Sequence, residues 1–143
     1  MRGGMPTVLA SLSTKGALPN GDLVLIGGTL YGTTVSGGKY GAGTVFSVPK
    51  TGGKITVLVS LNGNNGGGTE PLAGLILIGS NLYGTTIRGG ANNQGTVFSV
   101  PTTGGTPTVL VSFDPMNGAH PVAGLIMSGS TLYGTTIRGG VNN

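Results

Sequence analysis

The chain of 143 residues has no cysteine, no tryptophan, a single histidine and only three acidic residues. Without cysteine there is no disulfide, no thiolate nucleophile and no Cys-ligated metal, and either redox compartment fits. With His120 alone, a multi-histidine metal site and a two-histidine catalytic dyad are excluded. Asp22, Glu70 and Asp114 stand far apart in unlike contexts, so the paired carboxylates of a glycosidase are not offered. Charged residues make up 7 % of the chain, against about 25 % in an ordinary soluble domain. The basic residues (Arg2, Lys15, Lys39, Lys50, Lys54, Arg88 and Arg138) are scattered, whereas a nucleic-acid surface clusters its cations against successive phosphates. No apolar run approaches the roughly eighteen residues a membrane helix needs, and the longest, Leu72 to Ile78, is interrupted by Gly74. Nowhere do apolar residues keep a helical period for three turns. These absences lead to the expectation of no enzyme activity, no cofactor, no metal, no nucleic-acid partner and no membrane span.

What is present is glycine, at 31 positions, and repetition. Leu-Tyr-Gly-Thr-Thr occurs at Leu30 to Thr34, Leu82 to Thr86 and Leu132 to Thr136, with Tyr31 to Tyr83 spanning 52 positions and Tyr83 to Tyr133 spanning 50. Thr-Val-Leu keeps step at Thr7, Thr56 and Thr108. A period of this length marks a supersecondary unit that buries its apolar face only by stacking on a neighbour. The glycine has no collagen rhythm. The chain is too rich in Val, Leu and Ile, and too poor in charge, to be a disordered polyelectrolyte.

The central repeat predicts four strands. Gly74 to Ile78 is a continuous apolar run, Gly79-Ser80-Asn81 a tight turn, and Leu82 to Ile87 a second strand. Arg88 to Gly95 is a glycine-rich loop, Thr96 to Pro101 a third strand closed by its proline, and Thr106 to Phe113 a fourth. Four antiparallel strands in about fifty residues match the arithmetic of a β-propeller blade. The expected fold is therefore all-β, with blades of four antiparallel strands A to D: two complete blades and a partial blade at each end. The single domain 1–143 divides into a partial blade 1–22, a blade 23–61, a blade 72–113 and a partial blade 122–143. The opening partial blade carries a lone D strand, Thr7 to Leu12. The closing one is an A–B hairpin whose B strand has an open edge, an invitation to a further strand. Either the chain is a slice of a longer tandem array, or it associates with copies of itself as an oligomer or filament through such edges.

Leu30-Tyr31-Gly32-Thr33-Thr34, Gly43-Thr44-Val45-Phe46, Leu82 to Thr86, Gly95 to Phe98 and Leu132 to Thr136 together resemble the GloVer-type tandem repeat, found in many copies in bacterial surface-anchored and secreted proteins. The resemblance covers essentially the whole chain. It implies a propeller-like, extracellular, non-catalytic repeat. Low charge with abundant Ser, Thr, Asn and Gly points the same way, to an extracellular or cell-surface protein. No signal peptide opens the sequence, so an exported protein would be represented here by a mature or internal piece.

In a propeller the long B–C and D–A connections share one face, where ligands usually bind. That face gathers Arg88, Asn92, Asn93, Asp114, Asn117, His120 and Arg138 as the candidate ligand or assembly surface, with Lys39, Tyr40, Glu70, Asn142 and Asn143 beside them. Arg88 and Arg138 occupy equivalent repeat positions, where Ser36 stands in the first repeat. A repeated contact to an anion or sugar competes there with a solvated turn cation. Asp114-Pro115-Met116-Asn117-Gly118 has a calcium-like look, but Asn62-Gly63-Asn64-Asn65 at the equivalent place has no carboxylate, and turn chemistry accounts for both. Tyr31, Tyr83, Tyr133, Phe46 and Phe98 are expected to pack between blades. Function is expected to be structural: a self-assembling fibre, sheath or multi-chain propeller at the cell surface, with a carbohydrate-binding module as the alternative and a glycan as its ligand.

Overall fold

A computed structural model of the chain describes residues 3–13, 15–63 and 67–141. Arg2, Asn64, Asn65, Asn142 and Asn143, singled out above, lie outside the described residues. Among the described residues there are eleven strands and no helix: β1 Ala17–Pro19, β2 Val24–Ile26, β3 Thr29–Ser36, β4 Thr44–Pro49, β5 Thr56–Ser60, β6 Ile76–Ile78, β7 Asn81–Thr86, β8 Thr96–Pro101, β9 Thr108–Ser112, β10 Ile126–Ser128 and β11 Thr131–Tyr133. All ladders are antiparallel. Strands β2 to β5 form one unit, β6 to β9 a second in the same order, and β10–β11 a hairpin equivalent to the start of a third.

Local sequence sets this pattern. The first two strands of each unit are joined through Gly27-Gly28, Gly79-Ser80 or Gly129-Ser130. Gly27, Gly79 and Gly129 have φ between 58° and 61°, and only the first residue of each pair is positive, as a type II′ hairpin turn requires. The third strand, Thr-Val-Phe-Ser-Val-Pro in both complete units, alternates its side chains between two faces. Its pairing with the fourth strand slips at Val45/Phe46 and again at Val97/Phe98. The slip leaves Leu58 and Leu110 as bulge residues without a partner in the ladder.

The core lies between the two complete sheets. Val45, Val59 and Leu61 from the first meet Leu75, Leu82, Phe98 and Val100 from the second, with Tyr31 and Leu58 packed alongside. Phe98, Val100, Leu82, Val45 and Leu61 are fully buried, and closing a side chain such as Phe98 off from water is worth about 2–3 kcal/mol. A second cluster, Phe46, Val48 and Ile55 with Leu30, sits on the opposite face of the first sheet under Ala10 and Leu12. Each unit therefore shows its Phe and second Val to the preceding segment, and its first Val to the following one.

Three details differ from the sequence reading. The expected lone strand Thr7 to Leu12 forms no ladder. It packs Ala10 and Leu12 on the first sheet, and its backbone tie is the Leu9 carbonyl, which accepts from Gly53 N at 3.0 Å. A strand needs a neighbour's ladder, and this segment meets a sheet face instead. Conversely β1, which the sequence reading did not assign as a strand, pairs Ala17 and Pro19 with Ser36 and Thr34 on β3. Isolated bridges Thr69↔Arg88 and Ala119↔Arg138 repeat this pairing in the other units. Finally, the third unit's second strand stops at Tyr133, short of Thr136 where the Leu-Tyr-Gly-Thr-Thr segment ends, and β10 is exposed throughout. Its ladder with β11 has the same three pairs as β6 with β7, but among the described residues no third strand lies beside β11.

Candidate functional site

The loop face forms where each connection between the second and third strands meets the next unit's entry segment. Glu70 N donates to Ala42 O at 3.1 Å, and His120 N donates to Gln94 O at 2.8 Å. The loop 88–95 is thus held on one side by Thr69 and Glu70 and on the other by Phe113 and His120.

Most of the sequence-predicted polar residues are engaged in holding these loops. Asn93 Oδ1 accepts from Gly89 N at 2.9 Å, and Asn92 Nδ2 reaches the Phe113 carbonyl at 3.5 Å. Asp114 Oδ1 accepts from Met116 N at 2.8 Å and from Asn117 N at 3.0 Å, while Asn117 Oδ1 accepts from Asp114 N at 2.9 Å. This is a self-contained Asx turn. The His120 ring contacts Ile87 O through Nδ1 at 3.0 Å. Arg88 Nε lies 3.6 Å from Glu70 Oε1 in an exposed ion pair. Arg138 bridges to Ala119 through its backbone, as Arg88 does to Thr69. Lys39 lies over the Tyr40 ring at 5.1 Å. The face is one neighbourhood built mainly of turn hydrogen bonds.

Contacts between units rest on backbone conformations and on threonine hydroxyls that the sequence does not single out. Leu18, Glu70 and His120 occupy the same repeat position, each before a proline, with φ of 57°, 59° and 54°. Non-glycine side chains seldom accept this left-handed conformation. The signal was there: Pro19, Pro71 and Pro121 fall in register. Thr33 Oγ1 donates to Ala73 O at 3.2 Å, and Thr85 Oγ1 donates to Ala123 O at the same distance. The Leu58 carbonyl, freed by the bulge, accepts from Gly105 N at 3.3 Å. Hydroxyl pairs Thr34–Thr44, at 2.9 Å, and Thr86–Thr96, at 2.7 Å, close the end of each sheet. Among the described residues no buried side-chain polar atom lacks a partner.

These contacts yield two surfaces. A cleft of about 330 Å³ is lined by the entry segments of all three repeats, including Asp22, Gly74 and Gly124. A second, of about 320 Å³, opens between the second sheet and the β10–β11 hairpin, against Val97, Val111, Phe113, Leu125 and Leu132. Beside it Ile126, Tyr133 and Ile137 are more than half exposed, at 67 %, 53 % and 61 %.

A periodic all-β chain whose units join through backbone and apolar contacts is a tandem-repeat protein. Residues 1–143 match the family model described as the Gloeobacter/Verrucomicrobia repeat, and the chain belongs to that family. No curated protein and no solved structure matches it significantly. Among the described residues no helix is long and apolar enough to cross a membrane.

Proposed function

We propose that the protein is a structural repeat module of the cell surface or extracellular space, whose units are propeller-type blades that associate with further units of the same kind and carry no catalytic machinery. One observation carries this reading. The hairpin β10–β11 is seated on the second sheet by the contacts that seat the second sheet on the first, Thr85 to Ala123 repeating Thr33 to Ala73. Yet, among the described residues, β11 has no strand on its outer edge, and the hairpin exposes Ile126 and Tyr133. Such an edge beside exposed apolar side chains marks an interaction surface.

A radial, propeller-like arrangement is supported by the entry-segment cleft. Face-packed sheets lie about 10 Å apart, so the first and third repeats of a straight stack would stand about 20 Å from one another. Asp22, Gly74 and Gly124, one from each repeat, instead line one cleft of about 330 Å³. Entry segments that meet in this way favour units converging ahead of their first strands, as blades do around an axis. Glycan binding at the loop face is the weaker reading, because Asn93, Asp114, Asn117 and His120 already spend polar atoms on their own turns.

Size-exclusion chromatography with light scattering, from low to high micromolar concentration, tests the proposal, with negative-stain micrographs of the same fractions. The expected result is mass that grows with concentration into rings or filaments. A single monomeric species throughout would end the assembly reading.

A further inference from the structure

The molecule contains a template for what completes its own open surface. At the junction between the two full sheets, Val45, Val59 and Leu61 on one side and Leu75 and Leu82 on the other are closed over by Phe98 and Val100 of β8. At the next junction the equivalent residues are Val97, Val111 and Phe113 facing Leu125 and Leu132, and together they line the cleft of about 320 Å³. Val59 is 8 % exposed, whereas Val111 is 39 % exposed.

The glycine of Leu-Tyr-Gly-Thr-Thr reads out the same difference. A Cβ on Gly84 would meet both Leu75 Cδ2 and the Phe98 ring, each at 2.9 Å, and Gly32 likewise meets Leu23 and the Phe46 ring. A Cβ on Gly134 would meet only Leu125 Cδ2, at 2.8 Å. The leucine half of the seat is in place at Gly134, and the aromatic half is open to solvent.

The backbone agrees. Asn81 through Thr86 each pair with a residue of β8, from Asn81↔Pro101 to Thr86↔Thr96. Of the equivalent residues Thr131 through Thr136, the first three pair with β10, and among the described residues no strand lies on the other side. Transferring the β7–β8 register to this edge puts a threonine opposite Thr136, a valine opposite Thr135 and a phenylalanine over Gly134. The strand that does this in the first two repeats is identical in both, Gly-Thr-Val-Phe-Ser-Val-Pro at 43–49 and 95–101. The bulge residue Leu110, 47 % exposed, offers the counterpart of the Leu58 carbonyl that takes Gly105 N.

We propose that the free edge of residues 131–136, with the cleft beside it, is an acceptor for an extended strand of the repeat's own third-strand sequence, Gly-Thr-Val-Phe-Ser-Val-Pro, belonging to a further repeat of this family. The proposal deepens the assembly reading by naming the edge and the segment it takes. Main-chain hydrogen bonds supply register and the phenylalanine supplies the anchor, the mode of β-strand addition. The strand has no ionisable side chain, so its binding changes little with salt.

The test uses the full chain and a labelled peptide of that heptapeptide sequence extended by a solubilising lysine tail. Binding is followed by fluorescence anisotropy and by amide chemical shifts, with the mass of the chain read separately by light scattering. Saturable binding to the monomer is expected, with shifts at Tyr133 to Thr136, Val111 and Phe113. Replacing the peptide's phenylalanine by alanine should weaken binding on the order of 30-fold, and Gly134→Val in the chain should do the same. The unmodified chain and the alanine peptide decide the matter even if that variant does not fold. No binding to a monomeric chain, equal binding of the alanine peptide, or shifts confined to residues 44–60 would each overturn the acceptor. A dimer that buries the 131–136 edge and excludes the peptide would overturn it in favour of a second copy, while leaving the assembly reading intact.

Discussion

Gly84 and Phe98 face each other across β7 and β8, and a Cβ on Gly84 would lie 2.9 Å from Cζ of Phe98. Gly32 and Phe46 form the same pair one repeat earlier. The aromatic ring fills the space that the glycine leaves on the sheet surface, a cross-strand device that also fixes register. Gly84→Ala pushes the ring out of a core at native density and should cost about 1–3 kcal/mol. At Gly134 the same change meets only the movable end of Leu125 and should stay within about 0.5 kcal/mol. Chemical denaturation of the two variants gives the comparison.

The hydroxyl pair of Thr86 and Thr96 is buried, and Thr86 Oγ1 also lies 2.9 Å from Arg88 O while Thr96 Oγ1 donates to Gly67 O at 2.7 Å. Each hydroxyl has one proton. With Thr96 giving its own to Gly67 O, the single Thr86 proton is left for Thr96 Oγ1 and Arg88 O. Loss of the Thr86 hydroxyl therefore strips the buried Thr96 oxygen of its partner. Thr86→Val should destabilise by about 1–3 kcal/mol. Thr136→Val, at the half-exposed equivalent, should be near neutral. A double-mutant cycle on Thr86 and Thr96 should return a coupling of about 0.5 kcal/mol or more.

Leu18, 67 % exposed, holds a φ of 57° before Pro19. Its side chain contributes little burial, so substitutions there report mainly on backbone. Leu18→Gly removes the left-handed penalty of about 1–2 kcal/mol but gains unfolded-state freedom of about 0.5–1 kcal/mol. Its net effect should lie within about 1 kcal/mol and favour the fold. Leu18→Val, with a branched Cβ in the same conformation, should destabilise by about 1 kcal/mol or more. Thermal melts of the pair should show opposite signs.

Arg88 and Glu70 are 58 % and 44 % exposed at their side chains. An ion pair so open to water and salt contributes little, so Arg88→Ala should change stability by less than about 0.5 kcal/mol. If the loop face served an anionic ligand, the loss would appear in binding and not in the melt. A glycan array read with the wild type and Arg88→Ala makes that distinction.

Repeat length and strand order were legible because Leu-Tyr-Gly-Thr-Thr and Thr-Val-Phe-Ser-Val-Pro each carry strand-forming side chains at fixed spacing. The role of Gly84 was not. A glycine inside a strand gains its meaning from the residue opposite, and the sequence does not state cross-strand register. Residues 7–12 match later Thr-Val-Leu segments in sequence, yet form no ladder, since pairing depends on a neighbour as well as on propensity. The loop-face residues could be named from the sequence as polar groups on the connections, but their engagement with Gly89 N, Ile87 O and Phe113 O is a matter of loop closure that composition cannot carry. The left-handed conformation common to Leu18, Glu70 and His120 was not legible, because three dissimilar side chains share a backbone geometry rather than a chemistry.

Amide hydrogen exchange on dilute, monomeric protein, resolved to residues 83–86 and 133–136, measures whether the third unit awaits a strand that the second already has. Strong protection of 83–86 beside near-unprotected exchange at 133–136 is the predicted result. Equal protection of the two segments in the monomer would contradict it.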